Sequence, residues 1–380
     1  MFVRSLDELK KLIRKIEFNK TEHELLVELV DKAMRAGEGE RERLMHISKK
    51  SHKLYRTLKE MDLFYQIRQS DGKSIDNLKR IPVGAVDGSF QVVGGTGGRW
   101  YAIFGISQII SEKGFTLEPI IKVDGGIEPL EAVDEGEARH KAEIVMMLGE
   151  MKGFRKVAER LCSSRKDCYL LIDGPVIDPP LYMNEEYIEG RVDALRFCIE
   201  KNVNVVGFVK RVMSSNYLNF LKNNLGKEQV VEFTNDLDLL STVMFNAVKE
   251  ASCPIYTYPL SFDESAEKES NLALIYKCYK DKGLTIYYSY YKPSLRGRVF
   301  RVEYAAVKEL SEREVLERFD EILSVINIVW TLPGMEEPLP ITIAHNKCNV
   351  RRGAAETLYY EIMARALSKG GLHLWLESIT

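Results

Sequence analysis

The chain lacks most of the features that classify a protein quickly. It has no CxxC pair: its six cysteines stand at 162, 168, 198, 253, 278 and 348. Cys162 and Cys168 are too far apart for one arm of a zinc knuckle, and no histidine follows at a useful spacing. Structural zinc is therefore excluded, and free thiols in a reducing compartment are expected. No apolar run reaches the roughly 18 residues that a membrane span requires. The N-terminal MFVRSLDELKKLIRK mixes acids with its bases and has no apolar leader region. A cytoplasmic protein without a membrane segment is expected. Charge of one sign is also missing, since 54 basic and 56 acidic residues leave a formal net charge of -2. Global charge thus gives no support for a nucleic-acid partner, and acidic metal ligands that offset a basic groove would leave the same total. There is no Walker A loop, GxSxG elbow or HExxH helix, so nucleotide-driven motors, α/β-hydrolases and zincins fall away. GGTGG at 94–98 has no lysine at the right offset and reads as a hairpin turn.

What is present is 380 residues, 45% of them apolar and 29% charged, a composition suited to a globular fold with a substantial core. Residues 5–70 read as helical. Ser5 can cap a helix with Glu8 three residues on, and Leu6, Leu9, Ile13 and Ile16 recur on one face. A second helix is expected from Thr21 to about Ala36, broken by Gly37 and Gly39, and a third from Glu40 to about Gln69. Within the third, the stretch Arg41 to Lys59 carries Arg41, Arg43, Lys49, Lys50, Lys53, Arg56 and Lys59 against one acid, Glu42. That run is either a solvated face or an arm for phosphate or a partner. Ser70 to Arg80 reads as a linker, so residues 1–78 are assigned to an N-terminal helical region and 79–380 to a second domain.

From Ile81 the texture changes. VGAVDGSFQVV, WYAIFGISQII and FTLEPIIKV read as three strands of an antiparallel meander. Glu135 to about Leu161 is one long helix. CYLLIDGP at 168–175 is a short apolar strand of the kind buried mid-sheet. A helix over 185–201, the strand NVVGFVK, helices over 211–225 and 236–250, a strand pair within 283–304, and helices over 309–328 and 350–368 follow. Strands first, then alternating helices and strands, predict an α/β fold with a mixed sheet flanked by helices.

Two carboxylates stand out. Asp87 and Asp173 each end or interrupt an apolar strand and precede glycine. Asp-Gly is a common turn pair, but a carboxylate in a central strand is costly unless it is paired or binds a cation. Two strands of the same design suggest a rigid oxygen pair for Mg2+ or Mn2+. A third acid should come from the long helix, which offers Glu137, Glu143 and Glu150. Glu143 precedes the apolar IVMML and so lies near the buried face. His345, in LPITIAHNKCNV, can complete a hard-metal site or move a proton. Lys210, after the strand VVGFV, can reach a phosphate. The tyrosines between 287 and 291 are candidates for stacking on unpaired bases and equally for the core.

VDGS at 86–89, LIDGP at 171–175 after a long helix, GFVKR at 207–211 and PITIAH at 340–345 together resemble, in order and spacing, the archaeal NurA nuclease family over about residues 80–350. The resemblance implies a ribonuclease-H-like fold and a manganese site, with magnesium as the alternative. It places the family's motif residues on Asp87, Asp173, His345 and Lys210, with the helix glutamate on Glu143 and Glu137 as its alternative. It also implies a homodimer that resects DNA ends with a HerA-like hexameric ATPase, acting as an exonuclease on ends and an endonuclease on single strands. The alternative is a non-catalytic nucleic-acid-binding or scaffold protein on the same fold.

Overall fold

Residues 22–67, 72–95, 99–161, 168–177, 185–212, 214–265 and 271–366 are described by a computed structural model. In chain order the elements are α1 (His23–Glu60), β1 (Phe64–Gln66), α2 (Gly72–Leu78), β2 (Val83–Gly94), β3 (Arg99–Ser111), β4 (Ile120–Glu131), α3 (Glu135–Leu161), β5 (Cys168–Asp173), α4 (Glu185–Glu200) and β6 (Val203–Val209). There follow α5 (Asn216–Leu225), α6 (Asp236–Ala251), β7 (Ile255–Thr257), β8 (Leu260–Ser261), α7 (Phe262–Ser265), α8 (Asn271–Asp281), β9 (Thr285–Lys292), β10 (Phe300–Ala306), α9 (Glu312–Val325), α10 (Leu339–Cys348) and α11 (Arg352–Ala366).

The strands form one mixed sheet in the order β1-β7-β9-β10-β6-β5-β2-β3-β4, with β8 on β9. The meander β2–β3–β4 is antiparallel, and β2, β5 and β6 run parallel. Parallel neighbours need crossovers, which α3 and α4 supply. The short apolar strand 168–173 is central and buried, as its composition predicts.

Side-chain alternation then divides the core into two. Val86, Leu170 and Ile172 face one side with Phe154 of α3, Leu195 of α4 and Val243 of α6. Val83, Ala85, Tyr169, Leu171, Val206 and Phe208 face the other, with Phe319 of α9, Trp330, and Ile341 and Ala344 of α10. Burying each large apolar side chain contributes roughly 1.5–3 kcal/mol, so both faces are strongly specified. A one-residue slip of β2 or β5 would exchange them.

Several expectations are corrected. The break at Gly37 and Gly39 does not occur, because α1 runs through both. An exposed helical glycine costs only about 1 kcal/mol, and Lys32–Glu28 and Arg35–Asp31 ion pairs brace the preceding turns. The same helix was expected to reach Gln69 but stops at Glu60, and Phe64–Gln66 instead pairs with β7 at the sheet edge. The expected linker contains α2. PITIAHNKC, given no element from sequence, is helical.

The basic face of α1 is partly occupied within the molecule. Arg43 pairs with Glu40 and Asp238, Lys50 with Glu232 and Lys59 with Glu250, which docks α1 on and around α6. Tyr287, Tyr288, Tyr290 and Tyr291 are buried in β9 and are core residues, so they offer no platform for bases. Cys198, Cys253, Cys278 and Cys348 are free as expected, whereas Cys168 is disulfide-bonded, against that expectation. The helix expected from Ser5 also lies outside them. Among the described residues no helix is long and apolar enough to cross a membrane.

Candidate metal centre

The parallel register of β2 on β5 sets Val83 beside Tyr169, Ala85 beside Leu171 and Val86 beside Ile172. One further step brings Asp87 level with Asp173. Both then share the parity of Ala85 and Leu171, and both side chains emerge on the α9–α10 face. Lys210 has the same parity as Val206 and Phe208, and β6 lies next to β5. Three charged side chains are thereby carried to one face at the carboxyl ends of β5 and β6, the usual location of ligand sites in open α/β sheets.

Helix α10 closes the site from above. His345 Nδ1 lies 3.0 Å from Asp87 Oδ2 and 3.8 Å from Asp173 Oδ2. Asp87, Asp173 and His345 each offer one ligand atom, all within 4.8 Å of one another. Asp87 is only 6% exposed. Its Oδ1 accepts from the Gly88 amide at 2.9 Å, and its Oδ2 also accepts the Cys348 thiol at 3.4 Å.

Burial raises the Asp87 carboxyl above its ordinary range, against the opposing effects of Cys348 and His345. Asp173 is raised by burial and then by the charge of Asp87, with Lys210 opposing. The Cys348 thiol is pushed up by burial and by the charges of Asp87 and Glu150. Two buried carboxylates side by side, one of them raised further by the other's charge, form an arrangement that a bound cation would relieve. Carboxylate oxygens and an imidazole nitrogen suit Mn2+ or Mg2+ by donor type.

The Asp87-Gly88-Ser89 triplet divides three tasks among three residues. Asp87 faces α10. Gly88 faces α3, where a Cβ would come within 2.8 Å of both Glu150 Oε1 and Met146 Cγ. Ser89 returns to the α10 face, where its hydroxyl donates to Cys348 O at 2.6 Å and accepts from Val350 N at 2.7 Å. Ser107 on β3 donates to Ala344 O at 2.7 Å. These hydroxyls clamp the C-terminal half of α10, and with it His345, onto the sheet.

The structure brings together Asp87, Asp173, His345 and Lys210 of the residues singled out from sequence. Lys210 Nζ sits 2.9 Å from Asp173 Oδ2 and 2.8 Å from Glu337 Oε2. Burial pulls its proton affinity down, but Glu337 and Asp173 outweigh that and raise it. Glu143 is not part of the group. It is half-buried and two helical turns, about 10 Å, before Glu150. Glu137 lies farther off still, bound to the Val133 amide and Lys141 at the start of α3. Glu150, also on α3, is 8% exposed and packed against Gly88, the residue after Asp87.

Sequence reading missed the roles of Glu337, Ser89, Ser107 and Cys348. Ser89 was within reach, because strand alternation puts i and i+2 on one face. Nothing local to Glu337 indicates its pairing with Lys210.

A family model described as the NurA domain matches residues 82–350. No curated protein sequence matches this chain. Among solved structures, the NurA nuclease from Sulfolobus solfataricus superposes with a TM-score of 0.55 at 13% identity, covering 91% of this chain and 98% of that one. This likeness supports the ribonuclease-H-like fold expected from the sequence. A second structure described as NurA matches with a TM-score of 0.44 at 12% identity, covering 76% of this chain and 91% of that one. Ciona intestinalis endonuclease V, in complex with an inosine-containing 24mer DNA, matches at 0.37 and 11% identity over 84% of this chain and 99% of that one.

Proposed function

The chain belongs to the NurA family, and on that premise we propose that it is a divalent-metal-dependent deoxyribonuclease that hydrolyses phosphodiester bonds at DNA ends and in single strands. The observation that carries this reading is the convergence of Asp87, Asp173 and His345 within 4.8 Å on one face of the sheet. Asp87 and Asp173 hold the cation, Mn2+ or alternatively Mg2+, from adjacent strands. Glu150, rather than Glu143, is the helix acid that completes the charge around it. A divalent cation held there supplies Lewis acidity and charge neutralisation at the scissile phosphate.

His345 either adds a nitrogen ligand or, with Nδ1–H donated to Asp87, presents Nε2 to move a proton. Its side chain is 57% exposed, so the ring faces the side from which substrate arrives. Lys210 holds Asp173 in place and stands ready for a phosphate oxygen, a contact that positions the strand without reading bases.

A homodimer and a separate motor complete the proposal. Edge strand β4 leaves Ile120, Ile121, Val123 and Ile127 exposed, and an open apolar sheet edge favours association. The chain has no nucleotide-binding loop, so long-range resection needs a translocase, and the partner is a HerA-like hexameric ATPase. Cleavage of end-labelled duplex and single-stranded DNA with Mn2+, Mg2+ or EDTA tests the activity. Cleavage that survives EDTA, or that persists in Asp87→Asn, would refute it. Light scattering with and without the ATPase tests the assembly, and a monomer that forms no complex would refute that part.

A further inference from the structure

Asp173 is the last residue of β5, and the backbone that leaves it is held by a buried polar chain whose anchor lies two strands away. Gly174 adopts a φ of +136°, and the turn 174–177 folds back over β6. It passes so close to Gly207 that a Cβ there would meet Gly174 O at 2.8 Å and Val176 N at 2.9 Å. In the antiparallel pairing of β10 with β6, Glu303 stands opposite Gly207. The missing side chain opens a path, and the Glu303 carboxylate uses it. Glu303 Oε2 accepts from the Val176 amide at 2.7 Å and the Ile177 amide at 3.4 Å.

Its other oxygen, Oε1, takes Arg301 Nε at 2.8 Å and Nη2 at 2.7 Å. Arg301 Nη1 donates to Ser214 Oγ at 3.1 Å, and Ser214 donates to Asp236 Oδ2 at 2.9 Å. Asp236 is further bound by the Leu218 amide and the Tyr290 hydroxyl. The chain therefore links the turn after Asp173 to the segment after Lys210. From α4, Arg191 Nη2 donates to Pro175 O at 3.1 Å, which grips the same turn from its other side.

Glu303 is 0% exposed and Arg301 9%. A buried ion pair is weak as a source of stability, and apolar replacements often do as well. Outer partners that hold metal ligands, by contrast, have a large effect on the ligands' performance. We propose that Glu303, backed by Arg301, is a positioning residue of the metal centre: it fixes the turn 174–177 and so holds Asp173 beside Asp87 against the repulsion between the two carboxylates. The proposal rests on the metal-site reading above.

The test separates reach from charge, using the full-length protein and Mn2+ alone, with free Mn2+ followed by electron paramagnetic resonance. Glu303→Asp keeps the charge for Arg301 but withdraws the carboxylate from Val176 N. Glu303→Gln keeps the reach and an acceptor oxygen but loses the charge. The expected result is that Glu303→Asp weakens Mn2+ binding by about 10- to 100-fold and lowers kcat more than it raises KM, while Glu303→Gln recovers most of the affinity. Ile322→Ala, a core lesion on α9 away from the turn, should lower Tm and leave Mn2+ affinity unchanged. Parental Mn2+ affinity in Glu303→Asp, or an equal loss in Ile322→Ala, would overturn the proposal. A Glu303→Gln protein more impaired in Mn2+ binding than Glu303→Asp would show that the charge facing Arg301, and not the reach to Val176 N, governs the site, and would overturn it as well. Undiminished Mn2+ binding in Asp87→Asn would instead overturn the metal-site reading, and the positioning proposal with it.

Discussion

Replacing Asp87 by asparagine should reverse the stability order of the two proteins when Mn2+ is added. Asp87 and Asp173 offer ligand atoms within 4.8 Å, so two ionised carboxylates repel by about 3.5 kcal/mol at an effective dielectric constant of about 20. Lys210 at 2.9 Å from Asp173 and His345 at 3.0 Å from Asp87 offset part of this. Burial raises both carboxyls above their ordinary range, so the folded chain binds protons more tightly there than the unfolded chain does. The associated stability is therefore fully present below the unfolded value, near ~4, and is lost as pH rises through the raised folded value.

Above that raised value the penalty is complete. Asparagine keeps the shape and removes one charge, which should stabilise the metal-free protein by about 1–2 kcal/mol and raise Tm by roughly 1–3 °C for a chain of this size. Mn2+ at about 100 times its Kd should stabilise the parent by about 2.7 kcal/mol and leave Asp87→Asn almost unmoved. Calorimetric melting in EDTA and in Mn2+, alongside cleavage of end-labelled DNA, reads both halves. A metal-free Asp87→Asn protein that melts below the parent, or equal Mn2+ shifts in the two proteins, would refute the reasoning.

Gly88→Ala should displace Glu150 and Met146, both within 2.8 Å of the new Cβ. About 1–3 kcal/mol of stability should go with the overpacking, and cleavage should fall at least tenfold; a fully active variant would remove Glu150 from the site. Ser89→Ala loses both hydrogen bonds that dock Cys348 and Val350, which should cost about 1–3 kcal/mol and lower kcat. Unchanged kcat would show that His345 is held by other contacts. Lys210→Ala should weaken DNA binding across all sequences and reduce the salt slope by about one phosphate's worth. An unchanged slope would confine Lys210 to its pairing with Asp173 and Glu337.

Much of this protein could be read from local pattern. Alternating apolar strands with an aspartate before glycine mark Asp87 and Asp173, because a desolvated carboxylate in a strand needs a partner wherever the strand lies. The long helix Glu135–Leu161 and the central strand Cys168–Asp173 were equally visible, since periodicity and short apolar runs are properties of contiguous residues. Where sequence reading left two outcomes open, a tertiary contact decided between them. The tyrosines of β9 alternate as base-stacking side chains would, yet flanking helices cover both of that strand's faces. The basic residues of α1 look free along the chain, yet acids on and near α6 meet three of them.

The sequence by itself thus determined most of the element types, the mixed sheet and the two strand aspartates as candidates, because each depends on neighbours one to four residues away, whereas His345 and Lys210 were set beside them by a family resemblance. Only the tertiary structure decided the rest. Glu150, not Glu143, packs against Gly88 beside Asp87, because the glycine leaves room for it. Glu337 meets Lys210, and Glu303 reaches over Gly207 to hold the turn after Asp173. Each of these pairs joins residues far apart in the chain, through a gap left by a missing side chain or an ion pair closed by the fold, and no periodicity along one strand or helix encodes such a meeting.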